Sequence, residues 1–309
     1  MGNFLLAQTN QPYQLPPPEI LELVDIQPRP AVRIDSRNKY MAFFERKAFK
    51  TLDELAEDEV RLAGLRINPQ TNGRSRQTVY YGLKIKLIES DTYLTISGLP
   101  TTLRIADIAF SPDESILTFT NTLADGTELW MVDLTTARAL KLASNLNAAS
   151  GSPYVWVPNS KALLVKQLPK QRSALAKNKV LPEGPTIQET TGQKAPARTF
   201  QDLLRNPADE AEYEYYTQAE IVKVTLDGSN SPFLPVANYQ SLNFSPAGNY
   251  LLVQTIQRPY SYIVPQYRFS MSYDLYSAEG QFIRNFYLRP LLEALPSGFD
   301  AVETGKRYI

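Results

Sequence analysis

One phrase, a polar turn running into an apolar strand, recurs along the chain and restricts its fold more than any other feature. Its clearest copy is Phe110-Ser111-Pro112-Asp113-Glu114-Ser115-Ile116-Leu117-Thr118-Phe119-Thr120. Proline presets φ for a turn, and the aspartate side chain can accept from the backbone ahead of it. Ile116, Leu117, Phe119 and the threonines then favour a pleated, half-buried strand. The phrase returns as Phe244-Ser245-Pro246-Ala247-Gly248-Asn249-Tyr250-Leu251-Leu252-Val253. It is looser in Val155-Trp156-Val157-Pro158-Asn159-Ser160-Lys161-Ala162-Leu163-Leu164-Val165 and worn in Ile34-Asp35-Ser36-Arg37-Asn38-Lys39-Tyr40-Met41-Ala42-Phe43-Phe44. Such self-similarity marks a repeat architecture, whose units bury their faces by stacking on one another.

The unit is most complete around its second occurrence. Leu103–Phe110 and Ile116–Asn121 read as strands. Asp125-Gly126 is a hairpin dipeptide. Glu128–Leu134 returns, and Leu140–Ala143 adds a last short strand. Four strands in roughly 40–45 residues is the blade length of a β-propeller. The first unit begins near Ala31 and carries an insertion over 48–80. There Thr51-Leu52-Asp53-Glu54 has capping-box spacing, Leu52, Leu55, Ala56 and Leu62 keep helical period, and Gly64 stands where a C-terminal cap would. Arg74-Ser75-Arg76 reads as a polar loop, and Leu83, Ile85 and Leu87 alternate with Lys84 and Lys86 as a half-exposed strand.

The third unit starts at Tyr154–Val157 and Ala162–Gln167 and carries an insertion over 167–216. Its basic half (Lys166, Lys170, Arg172, Lys177, Lys179) and acidic half (Asp209, Glu210, Glu212, Glu214) read as solvated loops. Thr199–Leu204 and Asp209–Tyr216 are expected to be short helices. The fourth unit runs through Tyr239–Phe244, Tyr250–Gln257, Ser270–Tyr276 and Phe282–Tyr287.

The expected fold is all-β, a partial β-propeller of about four blades (29–98, 103–143, 151–237 and 238–290) with helical insertions. It spans 29–309 after an N-terminal segment, 1–28. In that segment Pro16-Pro17-Pro18 leads into a short amphipathic helix carrying Ile20, Leu23 and Val24, expected to pack on the rim. The insertions and the ragged C-terminal stretch suggest an array cut short. Unclosed faces would then meet water, at a cost of roughly 25 cal/mol per Å².

Composition removes whole classes of chemistry. There are 0 cysteines and 0 histidines. Thiolate nucleophiles, zinc–sulfur sites and any triad with an imidazole base are therefore absent from the chain. No metal site and no cofactor is expected, since nucleotide-binding glycine patterns and calcium-loop spacing are missing as well. Lysine plus arginine, 32, equals aspartate plus glutamate, 32, so no global field draws the chain to nucleic acid or anionic lipid. No apolar run approaches the roughly 18–20 residues that span a bilayer. Met1-Gly2-Asn3-Phe4-Leu5-Leu6-Ala7-Gln8 resembles the tail of a secretory signal without its basic start. The expected location is periplasmic or secreted for a longer form, and otherwise cytoplasmic. Oligomeric state is left open.

Five stretches in order carry a resemblance. Tyr13-Gln14-Leu15-Pro16-Pro17-Pro18-Glu19-Ile20, Leu62-Ala63-Gly64-Leu65-Arg66-Ile67, Leu181-Pro182-Glu183-Gly184-Pro185, Arg198-Thr199-Phe200-Gln201-Asp202-Leu203-Leu204 and Arg258-Pro259-Tyr260-Ser261-Tyr262-Ile263-Val264-Pro265 are similar to the glutamyl endopeptidase family. That family is a branch of the prolyl oligopeptidase-type serine peptidases. The resemblance implies an N-terminal propeller over a C-terminal α/β-hydrolase domain, whose serine sits in a Gly-x-Ser-x-Gly elbow and which cleaves after glutamate. This chain has no such elbow and no histidine, so the expected fold lacks the hydrolase domain and no residue is assigned a catalytic role.

By that resemblance the chain is the non-catalytic propeller portion of a serine peptidase. It would gate and position peptide substrate for a hydrolase domain outside these residues, and alone it would be inactive. The alternative is a stand-alone propeller scaffold for a protein or peptide partner. Arg258, Tyr260, Arg66, Arg74 and Arg76 are the candidate substrate-binding residues, because a guanidinium can hold a substrate carboxylate in a bidentate pair. Each is weighed against an internal salt bridge or, for the tyrosine, against packing between blades. Trp130 and Trp156 are read as core.

Overall fold

In the computed structural model, residues 15–172, 175 and 200–294 are described. The first sheet takes β1 (Ala31–Ile34) and β2 (Tyr40–Glu45). The chain then leaves it for a small sheet of β3 (Val60–Leu62), β4 (Leu65–Asn68) and β5 (Gly73–Arg74). It returns with β6 (Gly82–Leu87) and β7 (Thr92–Tyr93). The second sheet is β8 (Ile105–Phe110), β9 (Ile116–Thr122), β10 (Thr127–Asp133) and β11 (Arg138–Ala143). The third is β12 (Tyr154–Trp156), β13 (Ala162–Gln167), β14 (Ala219–Thr225) and β15 (Asn230–Ala237). The fourth is β16 (Tyr239–Phe244), β17 (Tyr250–Ile256), β18 (Met271–Ser277) and β19 (Phe282–Arg289). Each large sheet has four antiparallel strands in sequential order, the meander of a propeller blade.

Period-two alternation makes these blades stack. On β9, Leu117 and Phe119 join Tyr40, Phe44 and Ile85 of the first blade. Ile116 points the other way, into a core with Tyr154, Leu163 and Val224 of the third. Thr118, on that same face, accepts a hydrogen bond from the Trp156 indole at 3.0 Å, so its buried hydroxyl is satisfied. The third and fourth blades share Leu164, Ile221, Leu242, Leu251 and Val253. The turns repeat as well: Ser111 Oγ accepts from Ile116 N, and Ser245 Oγ from Tyr250 N.

The outermost apolar residues of the array stay in water. Val32 and Ile34 on β1 are exposed, as are Phe282, Ile283, Phe286 and Leu288 on β19.

Three local expectations need correction. Thr51 and Glu54 do form a capping box, but the helix it opens is only α2 (Leu52–Leu55). The residues that seemed to continue its period, through Leu62, turn into β3, and Gly64 makes the β3–β4 hairpin turn at φ +82° rather than capping a helix. Arg74 ends a strand instead of opening a loop. α1 (Pro18–Val24) forms behind its prolines yet buries none of its residues, so it does not pack on the rim as expected. In the second helical expectation, Phe200–Leu204 is irregular, whereas α3 (Pro207–Thr217) is a helix. The signal-like start, Leu181–Pro185, Lys177 and Lys179 lie outside the described residues.

Candidate functional site

In an up-and-down blade, strands alternate direction, so every connection from second to third strand leaves from the same end. All three long insertions occupy that position: 46–81, 168–218 and 257–270. They therefore gather over one end of the array and build a cap there.

The small β3–β5 sheet is the centre of the cap. Arg74 of β5 donates through Nη2 to Asp107 of the second blade at 2.6 Å. The Asn72 carbonyl accepts from Ala148 N, on the link between second and third blades, and Asn72 Nδ2 donates to the Tyr216 carbonyl of α3 at 2.9 Å. The Ala63 carbonyl accepts from Gln266 N in the loop of the fourth blade at 2.8 Å. One insertion thus reaches every other blade.

α3 is set by ordinary helix chemistry. The Asn206 side chain caps it by accepting from Ala208 N and Asp209 N, with Pro207 at the first helical position. Tyr213 is fully buried. Its ring stands edge-on to Tyr260 and Phe269, and its hydroxyl donates to Gln266 Oε1 at 3.0 Å. On the outer side Glu210 and Glu214, one turn apart, receive a single guanidinium. Arg258 donates through Nε to Glu214 at 2.8 Å and through Nη1 to Glu210 at 2.6 Å. Tyr260 donates to Glu214 and Tyr262 to Glu210, each at 2.7 Å. Burial, and then the hydrogen bond to Glu214, push the Tyr260 hydroxyl well above its ordinary pKa. For Glu214 itself, burial raises the pKa, but Arg258 and Tyr260 outweigh it and hold the carboxyl low.

A second cluster faces outward from β3–β5. Glu59 pairs with Arg61 at 2.9 Å and Arg76 at 3.0 Å and accepts from Ser75 Oγ at 2.6 Å. Arg66 donates to Asp202 at 2.6 Å and lies 3.9 Å from Glu59. Burial tends to raise the Glu59 pKa, yet Ser75, Arg76 and Arg61 bring it down to about 2. The guanidinium side chains of Arg61 and Arg76 remain 54% and 62% exposed, so this edge presents cations to solvent over carboxylates that are largely covered.

The five candidates thus fall into three places. Arg258 and Tyr260 lie together on α3, and both are engaged internally. Arg74 is spent on Asp107. Arg66 and Arg76 meet around Glu59, where exposure remains. Two charge runs read as solvated are in fact partly internal. Glu210 and Glu214 hold Arg258, and Lys166 is 2% exposed, donating to the carbonyls of Ser150 and Tyr239 where the third and fourth blades meet. Burial, and then Arg74, press the Lys166 pKa down to about 7, with Asp107 opposing. Its signal in the sequence was a lone lysine ending the apolar run Ala162–Val165. Trp156 is buried, and Trp130 is partly buried against the core between the first two blades, as read. Among the described residues no cluster of carboxylates could hold a metal ion, and no helix is long and apolar enough to cross a membrane.

No family model matches the chain. It is 35% identical over 319 residues to a probable chloroplastic glutamyl endopeptidase of Oryza sativa subsp. japonica, covering 98% of this chain and 34% of that protein. It is 35% identical over 311 residues to a protein of the same description from Arabidopsis thaliana, covering 96% and 32%. The chain therefore spans about a third of the length of the curated relatives it matches. Among solved structures, an acylaminoacyl peptidase of Pyrococcus horikoshii aligns with 86% of this chain and 33% of its own, at 13% identity and a TM-score of 0.43. The β-propeller domain of the Trilobed protease from Pyrococcus furiosus aligns with 85% and 58%, at 11% identity and a TM-score of 0.38.

Proposed function

Because this chain is a relative of the glutamyl endopeptidases along nearly its whole length, we propose that it is the non-catalytic propeller portion of such a peptidase. It gates and positions peptide for a hydrolase domain outside the described residues. The observation that carries this reading is the gathering of all three long insertions over one end of the blades. A cap in that place can select what approaches a domain stacked on the array. The exposed guanidinium edge of Arg61 and Arg76, with Arg66 beneath, suits an acidic peptide, since arginine holds carboxylates by paired N–H donors. With no histidine in the chain, the Ser-His-Asp cleavage chemistry must come from elsewhere.

A second reading is a stand-alone scaffold for a protein partner. It is favoured by the exposed apolar strand β19, with Phe282, Phe286 and Leu288 in water.

The test is a pair of titrations on the purified chain. An internally quenched glutamyl peptide should show no turnover, while a fluorescent, uncleavable one binds saturably. Turnover that stays with the chain through purification overturns both readings. Absence of peptide binding leaves the scaffold.

A further inference from the structure

The cap and the second blade enclose a small polar space that the peptide reading does not use. It measures about 20 Å³, room for one water molecule or one monatomic ion. Three donors on residues lining it have no acceptor: Arg74 Nε, Arg104 Nε and Thr127 Oγ1. Thr127 is 2% exposed, so bulk water does not satisfy its hydroxyl. Gly73 lies beside it, and a β-carbon there would come within 3.3 Å of Thr71 Oγ1 and 3.7 Å of Thr127 Oγ1.

The carboxylates around the space are already engaged. Glu57 accepts from Arg104 Nη1 through one oxygen and from Asn68 Nδ2 through the other. Asp107 accepts from Arg74 Nη2 through one oxygen and from Gln77 and Thr120 through the other. What is missing is therefore an acceptor. A water molecule would have to aim two O–H bonds of its own at groups that already hold donors. A monatomic anion accepts all three and donates nothing. The charge points the same way. With Glu54 paired to Lys47, the cations Lys50, Arg74 and Arg104 face only Glu57 and Asp107.

We infer that this space is a halide-sized anion site, filled by chloride in solution, which fastens the cap to the second blade. Bromide is the probe. Crystals of the chain grown in bromide should give an anomalous peak within hydrogen-bond reach of Arg74 Nε, Arg104 Nε and Thr127 Oγ1. In solution the melting temperature should rise saturably with chloride at constant ionic strength, with gluconate as the reference salt. Thr127→Val should shrink that rise several-fold. An ordered water without bromide signal, or melting curves that coincide in chloride and gluconate, overturns the site. A bromide peak without the saturable shift is binding at crystal concentration only and overturns it too. If Thr127→Val does not fold, the two measurements on the unmodified chain decide.

Discussion

Gln266 donates its backbone N–H to the carbonyl of Ala63 at 2.8 Å, joining the loop of the fourth blade to the insertion of the first. The next residue, Gly64, donates to the Asp202 carbonyl and turns the β3–β4 hairpin at φ +82°. A β-carbon on Gly64 would stand 2.7 Å from Pro265 Cβ. Gly64→Ala therefore combines backbone strain with a clash against the partner loop. It should cost about 1–3 kcal/mol. Urea unfolding checks this, and hydrogen exchange should quicken in β3–β5 before it does in the blades.

Tyr213 anchors α3 from below. Tyr213→Phe keeps the ring and loses the bond to Gln266, for about 1 kcal/mol. Tyr213→Ala empties a fully buried aromatic site and should cost about 3–5 kcal/mol. Comparing the two denaturation midpoints separates the hydroxyl from the packing.

Lys166 gives stability an alkaline slope. Its folded pKa is pressed from 10.5 down to about 7, so between those values the unfolded chain binds more protons and stability rises with pH. Burial does most of this, Arg74 adds to it and Asp107 opposes it. Tyr154 and Tyr239 shift the other way. Their folded pKa values are raised above 10.0, so their contribution fades above that pH and closes the window. Urea midpoints should climb from about pH 7 toward pH 10 in the parent chain. In Lys166→Met that climb should vanish.

Glu59 governs the acid side. Its pKa falls from 4.5 to about 2 on folding, so it contributes stability above pH 4.5 that is lost as the pH drops toward 2. Glu59→Gln should flatten part of the acid limb of the stability profile. The remainder belongs to Glu54, Glu214 and Asp113, whose values are also lowered. An acid limb unchanged in the variant would contradict the assignment.

The blades could be read from the sequence because alternation and the Ser-Pro turn are local signals. Ile116–Thr122 announces itself within a few residues. The cap could not be read that way. β3 and β4 are three and four residues long, too short to display a period, and Leu62 falls in step with the helix that ends at Leu55. Their form comes from partners far along the chain. The candidate site failed to show itself for the same reason: Arg258 meets carboxylates 44 and 48 residues away. The one-turn spacing of Glu210 and Glu214 was visible, but nothing local said that a guanidinium would lie across both.

The central claim is that peptide is met at the capped end of the blades. A hydrogen-exchange footprint of an uncleavable glutamyl peptide on the intact chain tests it most directly. The account predicts protection in β3–β5, α3 and the loop around Gln266. Protection confined to the opposite end, in the turns Ser111–Ile116, Thr225–Ser229 and Ser277–Gln281, would contradict it.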